Sequence, residues 1–404
     1  MRLLFTTNAL LGHFHPLVPL AEAARRRGHE VRFAGAALLG PAVERAGFRL
    51  EAAGPPADAG VGGRFPELLA LPPAERANFA WRHNFADQRA AAMVPDLLAI
   101  GRAWRPALFV REDAELGACV AAEVLGLPHA AVQATAFRPR LAAVVAEPLA
   151  RLRAAHGLPP DPAGAMLYRH LYLVTVPPAL LPPEVSAALP ATACAIRPVP
   201  FDRSGDEALP PWMAELPARP SVYLTLGTIF GGRADVFAPF VRGLADAPVN
   251  LIVTVGRNGD PASLGPLPPN TRVERYVPQT LLLPRCAAVV FHGGSGTMIS
   301  ALQHGLPLVV VPLAADQPEN AARSAAAGAA RVVLPADLTP DVARAAVLEV
   351  LGDPAYRRNA ERVRDEIAAL PSPDDAVRLL EGLVERHAMR PVPPAAVGAA
   401  PAPT

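Results

Sequence analysis

Residues 291–323 read FHGGSGTMISALQHGLPLVVVPLAADQPENAAR. An apolar run of strand type ends at Phe291, and His292-Gly293-Gly294-Ser295-Gly296-Thr297 turns the chain into a helical stretch from about Thr297 to His304. A second apolar run, PLVVVPL at 307–313, is the next strand, with Asp316-Gln317 just past its carboxyl end. Glycines let a backbone approach a ligand closely, and the free N–H groups and positive dipole end at a helix start form an anion site. Ser295 and Thr297 add hydroxyl donors, and His292 adds an imidazole. A carboxylate beside an amide suits a polyol, accepting and donating hydrogen bonds to neighbouring hydroxyls. The segment predicts a diphosphate at the helix and a sugar at Asp316-Gln317, which together make a nucleotide sugar. A serine nucleophile elbow, G-x-S-x-G, fails here because Thr297 stands where the second glycine is required.

The same strand–loop–helix–strand grammar recurs along the chain. Residues 2–7 (RLLFTT) form a strand, Asn8 to His15 a polar loop, and Pro16 opens a helix that closes on Arg25-Arg26-Arg27-Gly28, with cations and glycine at its end. A strand follows from Glu30. In the second half, SVYLTLG (221–227) is a strand, Ala234–Ala247 a helix and NLIVTV (250–255) a strand. Continuous apolar strands alternating with helices indicate parallel sheets covered on both faces. The expected organisation is α/β, with two doubly wound Rossmann-like domains facing across a cleft. The first spans residues 1–200, a proline-rich linker 201–220, and the second 221–370. C-terminal helices at 371–390 are placed to return to the first domain, and a disordered Pro/Ala tail occupies 391–404. Residues 55–90 and 135–185 look irregular, and such insertions usually lie at the ligand-binding edge of an open sheet.

The 404 residues carry 38 basic and 37 acidic side chains, a net charge of +1. That balance removes the electrostatic case for nucleic acid. Every basic residue is arginine and 48 residues are proline, a coding bias that drains both counts of functional meaning. No apolar stretch reaches the ~18–20 residues of a membrane helix. Cys119, Cys194 and Cys286 are too scattered for a disulfide framework or a zinc site. A reduced, cytoplasmic compartment is expected.

Gly12-His13-Phe14-His15-Pro16 occupies the first strand-to-helix loop. Transfer to a hydroxyl needs a proton removed as the new bond forms, and an imidazole near neutral pKa suits that task. His13 is the candidate base and His15 a cleft-lining residue. A base histidine needs an orienting carboxylate. The strand at 107–110 runs into Arg111-Glu112-Asp113-Ala114-Glu115, a charged loop that offers Glu112 or Asp113, with the choice left open.

These motifs resemble the bacterial natural-product branch of the family 1 glycosyltransferases, which have the GT-B fold. The match runs through strand, H-G-G-[AS]-G-T, helix, A-L-x-x-G-x-P, strand and D-Q-x-x-N-A. It extends to Tyr276-Val277-Pro278-Gln279, to Leu226-Gly227-Thr228, and to the N-terminal G-H-x-x-P. The resemblance implies that Tyr276 stacks on the base, the Val277 backbone pairs with its edge, and Gln279 faces the ribose. It implies that His292, Ser295, Gly296 and Thr297 hold the diphosphate, that Gly294 and the Gly227-Thr228 loop belong to the donor site, and that Asp316 and Gln317 hold the sugar. Plant members carry a glutamate for the ribose hydroxyls where this chain has Ser300, which favours a TDP-sugar over a UDP-sugar.

The resulting expectation is an inverting displacement with no resident cofactor and no metal, since no D-x-D motif occurs. His13 takes the acceptor proton, Glu112 or Asp113 stabilises the imidazolium, and the nucleotide diphosphate leaves into the helix start. The acceptor is a small apolar natural product, lined by Phe14, Phe65, Phe79 and Phe137, with Trp81, Tyr168 and Tyr172 nearby. Partners are that acceptor and the nucleotide sugar, with no nucleic acid and no membrane span, in a monomer or homodimer. The alternatives are a nucleotide-sugar epimerase of the same fold and a non-catalytic activator or binding protein.

Overall fold

The computed structural model describes residues 1–55, 71–202, 208–227, 230–257 and 259–389. Phe65, Thr228 and the 391–404 tail lie outside these described residues.

The N-terminal apolar run forms β1 (Arg2–Thr6), buried at every position but the first. Its side chains alternate between faces. Leu3 and Phe5 enter one core layer, while Leu4 enters the other beside Phe109. Six parallel strands join it: β2 (Glu30–Gly35), β3 (Arg49–Ala52), β4 (Leu108–Glu112), β5 (His129–Val132), β6 (Leu171–Val174) and β7 (Ala193–Ala195). The spatial order is β3-β2-β1-β4-β5-β6-β7. The second sheet holds β8 (Ser221–Thr225), β9 (Asn250–Thr254), β10 (Thr271–Glu274), β11 (Ala288–Phe291), β12 (Leu308–Val310) and β13 (Ala330–Val332), in the order β10-β9-β8-β11-β12-β13.

Both orders reverse direction beside their first strand. β1 pairs with β2 on one side and β4 on the other, and β8 pairs with β9 and β11. In such sheets the crevice at the reversal, outside the carboxyl ends of the strands, is where ligands bind.

Three segments differ from the sequence expectation. Described residues 73–104, which begin inside the 55–90 region, form one helical run: Pro73–Phe79, a π-helical stretch Ala80–Arg89, and Ala90–Trp104. Apolar positions in its middle do not follow a 3.6-residue period, because the wider π turn changes which residues share a face. Within 135–185 lie the helix Leu141–Ala155 and strand β6. The loop after β1 closes into a short helix, Leu11–Phe14.

The last helix, Pro373–Ala388, starts with a capping box between Ser372 and Asp375. Its Ala376, Val377, Leu380 and Leu383 pack in the same layer as Leu3 and Phe5. Glu381 holds it there through Arg27 at 2.8 Å and His29 at 2.9 Å. The preceding helix, Pro354–Ala369, packs on the second domain through Ala360, Val363 and Ile367. The chain therefore crosses between domains a second time, and Arg197 N donates to Pro371 O (2.7 Å) where the two crossings meet.

Candidate active site

His13 sits on the short helix that follows β1, at the first reversal point. Its Nδ1 lies 3.1 Å from Glu112 Oε2, and its ring is 13% exposed while Glu112 is fully buried. Nδ1 is buried, and Glu112 is the group it faces. Glu112 ends β4, and its carboxylate is fixed on three sides. Oε1 accepts from Asn8 Nδ2 at 2.5 Å and Asn8 N at 3.3 Å, and Oε2 accepts from Ala114 N at 2.7 Å. Burial alone pushes this carboxyl upward, but His13 and the three donors outweigh it and hold it below its ordinary range. Burial presses His13 down, and the charge of Glu112, aided by Asp113, more than offsets that and raises it above 6.5.

The structure separates the two carboxylates that the sequence left open. Glu112 faces His13. Asp113 turns to the loop after β5, where Oδ1 accepts from Ala134 N, Thr135 N and Thr135 Oγ1 at 3.1–3.2 Å. Burial and the neighbouring Glu112 charge push Asp113 up to about 7. A third carboxylate, Glu115, accepts from Thr6 Oγ1 at 2.6 Å and from the N–H groups of Gly117 and Ala118, and burial pushes it up to about 7 as well. Arg111 is completely buried among them and donates to the carbonyls of Glu112, Asp113, Glu115 and Leu167. The charged loop at 111–115 is thus an internal network that fixes the end of β4.

At the second reversal point, His292 follows β11 and Gly294 caps the helix Ser295–Gln303. The N–H groups of Ser295, Gly296 and Thr297 precede the first intrahelical bond, Met298 N to Gly294 O at 3.0 Å. Gly227 (φ +71°) must be glycine, since a Cβ there would stand 2.7 Å from the His292 ring. Gly293 has φ +92°, and a Cβ there would press on Gln317 at 3.0 Å. Burial lowers His292 to about 4, so its ring is neutral near pH 7, and its buried Nδ1 has no hydrogen-bond partner among the described residues.

Ser295 Oγ donates to Asp316 Oδ2 at 2.9 Å. Asn320 Nδ2 reaches the Gly293 carbonyl, Ser295 Oγ and Asp316 Oδ2 at 2.9–3.1 Å. Gln317 is buried, and its Oε1 accepts from Leu313 N and Ala314 N at 2.7 and 2.8 Å. Its carbonyl therefore shapes the loop, which leaves only its amide NH2 for a ligand. Gln279 Nε2 donates to Thr297 Oγ1 at 3.1 Å, joining the Tyr276–Gln279 turn to the helix start. The Val277 side chain is core. Tyr276 donates its hydroxyl to Asp202 O.

One expected acceptor residue is corrected. Phe14 is 0% exposed and packs edge-on against Phe33 at 5.1 Å, because the next residue on a helix points about 100° away from His13. Phe137 is 6% exposed and stacks with Tyr168 and Tyr172. It also borders a cavity of about 370 Å³ whose lining includes neither His13 nor Glu112. Phe79 is half-buried on the long helical run, and Trp81 is buried in the core. Among the described residues, Phe85 places its ring 5.9 Å from that of His13. Asn320, the asparagine of the D-Q-x-x-N-A match, has no role assigned from sequence; it stands four residues after Asp316, a spacing that puts both on one helix face. Asn8, Arg111, Glu115 and Asp202 carried no local motif.

An imidazole–carboxylate pair in one lobe and a glycine-rich helix start in the other, each at a sheet reversal, is the arrangement of the GT-B glycosyltransferases, and this enzyme is one of them. The chain belongs to the EryCIII-like family. Residues 22–227 match the domain described as "Erythromycin biosynthesis protein CIII-like, N-terminal domain", and residues 241–383 match its C-terminal counterpart. It is 35% identical to L-demethylnoviosyl transferase of Streptomyces niveus, over 97% of this chain and 100% of that one. It is 32% identical to tylactone mycaminosyltransferase of Streptomyces fradiae, over 96% and 93%. The solved structure of glycosyltransferase VinC in complex with DTDP superposes with a TM-score of 0.79 at 30% identity, covering 96% of this chain and 100% of that one.

Proposed function

We propose that this glycosyltransferase moves a deoxysugar from a TDP-sugar to a hydroxyl of an apolar polyketide, macrolide or aromatic aglycone, with inversion and without a metal ion. The observation that carries the reading is the His13–Glu112 pair, 3.1 Å apart at a strand end with the carboxylate locked. With Nδ1 facing Glu112, Nε2 is the proton acceptor. It takes the acceptor hydroxyl proton as the oxygen bonds to the anomeric carbon. The bond from that carbon to the diphosphate breaks, and its electron pair leaves with the nucleotide. The negative charge released is received by the N–H groups of Ser295, Gly296 and Thr297 and the positive helix end, the work that a divalent metal does elsewhere. His292, being neutral, contributes a hydrogen bond rather than a charge. Asp316 holds sugar hydroxyls, and Asp113 acts on the 134–135 loop. Among the described residues no cluster of three or more His, Cys, Asp or Glu side chains is placed to hold a metal ion, and no helix is long and apolar enough to cross a membrane. The thiols of Cys119, Cys194 and Cys286 are unpaired, which supports work in the reducing cytoplasm.

The relatives' names and the DTDP complex of VinC support the donor and acceptor classes. The test is incubation with TDP- and UDP-sugars and a panel of such aglycones after exhaustive EDTA treatment. A glycosylated product of inverted anomeric configuration is expected, formed faster from the TDP-sugar. Donor isomerised without acceptor would make the enzyme an epimerase. Donor bound without turnover would make it a binding protein, and loss of activity restored by Mg²⁺ would overturn the metal-free step.

A further inference from the structure

The turn at Tyr276–Gln279 holds a feature that no sequence motif announces. The guanidinium of Arg257 lies over the Tyr276 ring, its Cζ 3.7 Å from the ring centroid. That is one stacking thickness, so no third plane fits between them. The ring itself is fixed. Its hydroxyl donates to Asp202 O, and the Asp202 carboxylate is tied to Thr280 N at 2.9 Å and Thr280 Oγ1 at 2.7 Å. Arg257 is the other member of the pair. It is exposed, it follows Gly256 with φ +87°, and it lies just past the carboxyl end of β9.

We propose that Arg257 is the second plate of a nucleobase slot: a base that stacks on Tyr276 displaces the guanidinium outward by one stacking distance, and Arg257 then covers the far face of the base. The proposal rests on reading Tyr276 as the base platform and deepens it by naming the opposing group. A planar guanidinium stacks on an aromatic plane and adds a cation–π attraction, which an ammonium supplies without the planar fit. The slot lies against the opposite domain. His15, beside Phe201 at 5.6 Å, feels the charges of both Asp202 and Arg257. Burial keeps His15 neutral at about 4, so its ring does not repel Arg257.

The test is calorimetric titration of TDP and of inorganic pyrophosphate into the wild type and the Arg257→Ala, Arg257→Lys and Tyr276→Ala variants, with thermal melting as a check on folding. Arg257→Ala is expected to weaken TDP binding by about 5- to 30-fold and to leave pyrophosphate binding unchanged. Arg257→Lys should stay closer to the alanine variant than to the wild type. The slot is refuted by TDP binding as tightly to Arg257→Ala as to the wild type, by an equal loss of pyrophosphate affinity, or by full rescue with lysine. The platform reading has its own readout. If Tyr276→Ala binds TDP normally, the base lies elsewhere and both ideas fall. If only Tyr276→Ala weakens binding, the platform stands and Arg257 is not its partner.

Discussion

The hydroxyl of Ser295 donates to the carboxylate of Asp316 at 2.9 Å, and Asn320 touches both. The helix start and the sugar-facing carboxylate are therefore one hydrogen-bonded unit, although 21 positions separate Ser295 from Asp316. Asn320 is 1% exposed and its Nδ2 serves three acceptors. Asn320→Ala should raise the KM for the nucleotide sugar by about 5- to 30-fold, the effect of stranding one or two buried acceptors. TDP affinity should fall less, because the helix N–H groups remain. Steady-state KM set against the TDP dissociation constant separates the two effects.

The dyad gives a pH signature. Glu112 holds His13 above 6.5, and only the neutral ring accepts a proton. Activity should therefore rise with pH through an inflection above 6.5. Glu112→Gln removes the charge that raises His13 and leaves burial, which lowers it, so the inflection should move to lower pH while the plateau rate falls. His13→Ala should lose about 10²- to 10⁴-fold in kcat with TDP affinity intact. A Glu112→Gln inflection that stays in place would detach that carboxylate from the histidine.

Asp113 bears on stability more than on proton transfer. Its folded pKa is raised to about 7, above the ordinary carboxylate value near 4. The native state thus keeps a proton that the unfolded chain releases. That contribution is fully present below about pH 4 and is lost as pH rises through about 7. Asp113→Asn keeps an acceptor for Ala134 and Thr135 but cannot ionise. Melting temperatures at pH 5 and pH 8 should differ less in this variant than in the wild type.

Phe14 separates core from pocket. With 0% exposure beside Phe33, Phe14→Ala should cost about 3–5 kcal/mol of stability, seen in denaturant unfolding. At a temperature where the variant is folded, its acceptor KM should be close to that of the wild type. A large change in KM with an unchanged midpoint would return Phe14 to the pocket.

The residues that sequence made legible are those whose roles are local. A strand followed by glycines and a helix start is a contiguous pattern, so Gly227, His292 and Ser295 stand out, and His13 does so for the same reason. The rest depends on distant segments. Whether Glu112 or Asp113 meets His13 is decided by the parallel register that sets Thr6 beside Arg111, which a single strand does not encode. Arg111 and Glu115 look like solvated charges until four carbonyls and Thr6 close around them. Asp202 lies in a proline-rich stretch whose composition says linker, yet it clamps Tyr276 and Thr280. The π-helical Ala80–Arg89 hides the helix because periodicity searches assume a tighter turn.

The backbone joint between Arg197 and Pro371 has a mechanical consequence. Two covalent strings, bonded to each other by Arg197 N to Pro371 O and by Arg197 Nε to Leu370 O, join one lobe to the other. Such a connection resists pulling apart and yields to twisting. Approach and withdrawal of the two strand-end crevices should therefore be a swivel about that joint. A protease that severs one string leaves the halves attached through the other.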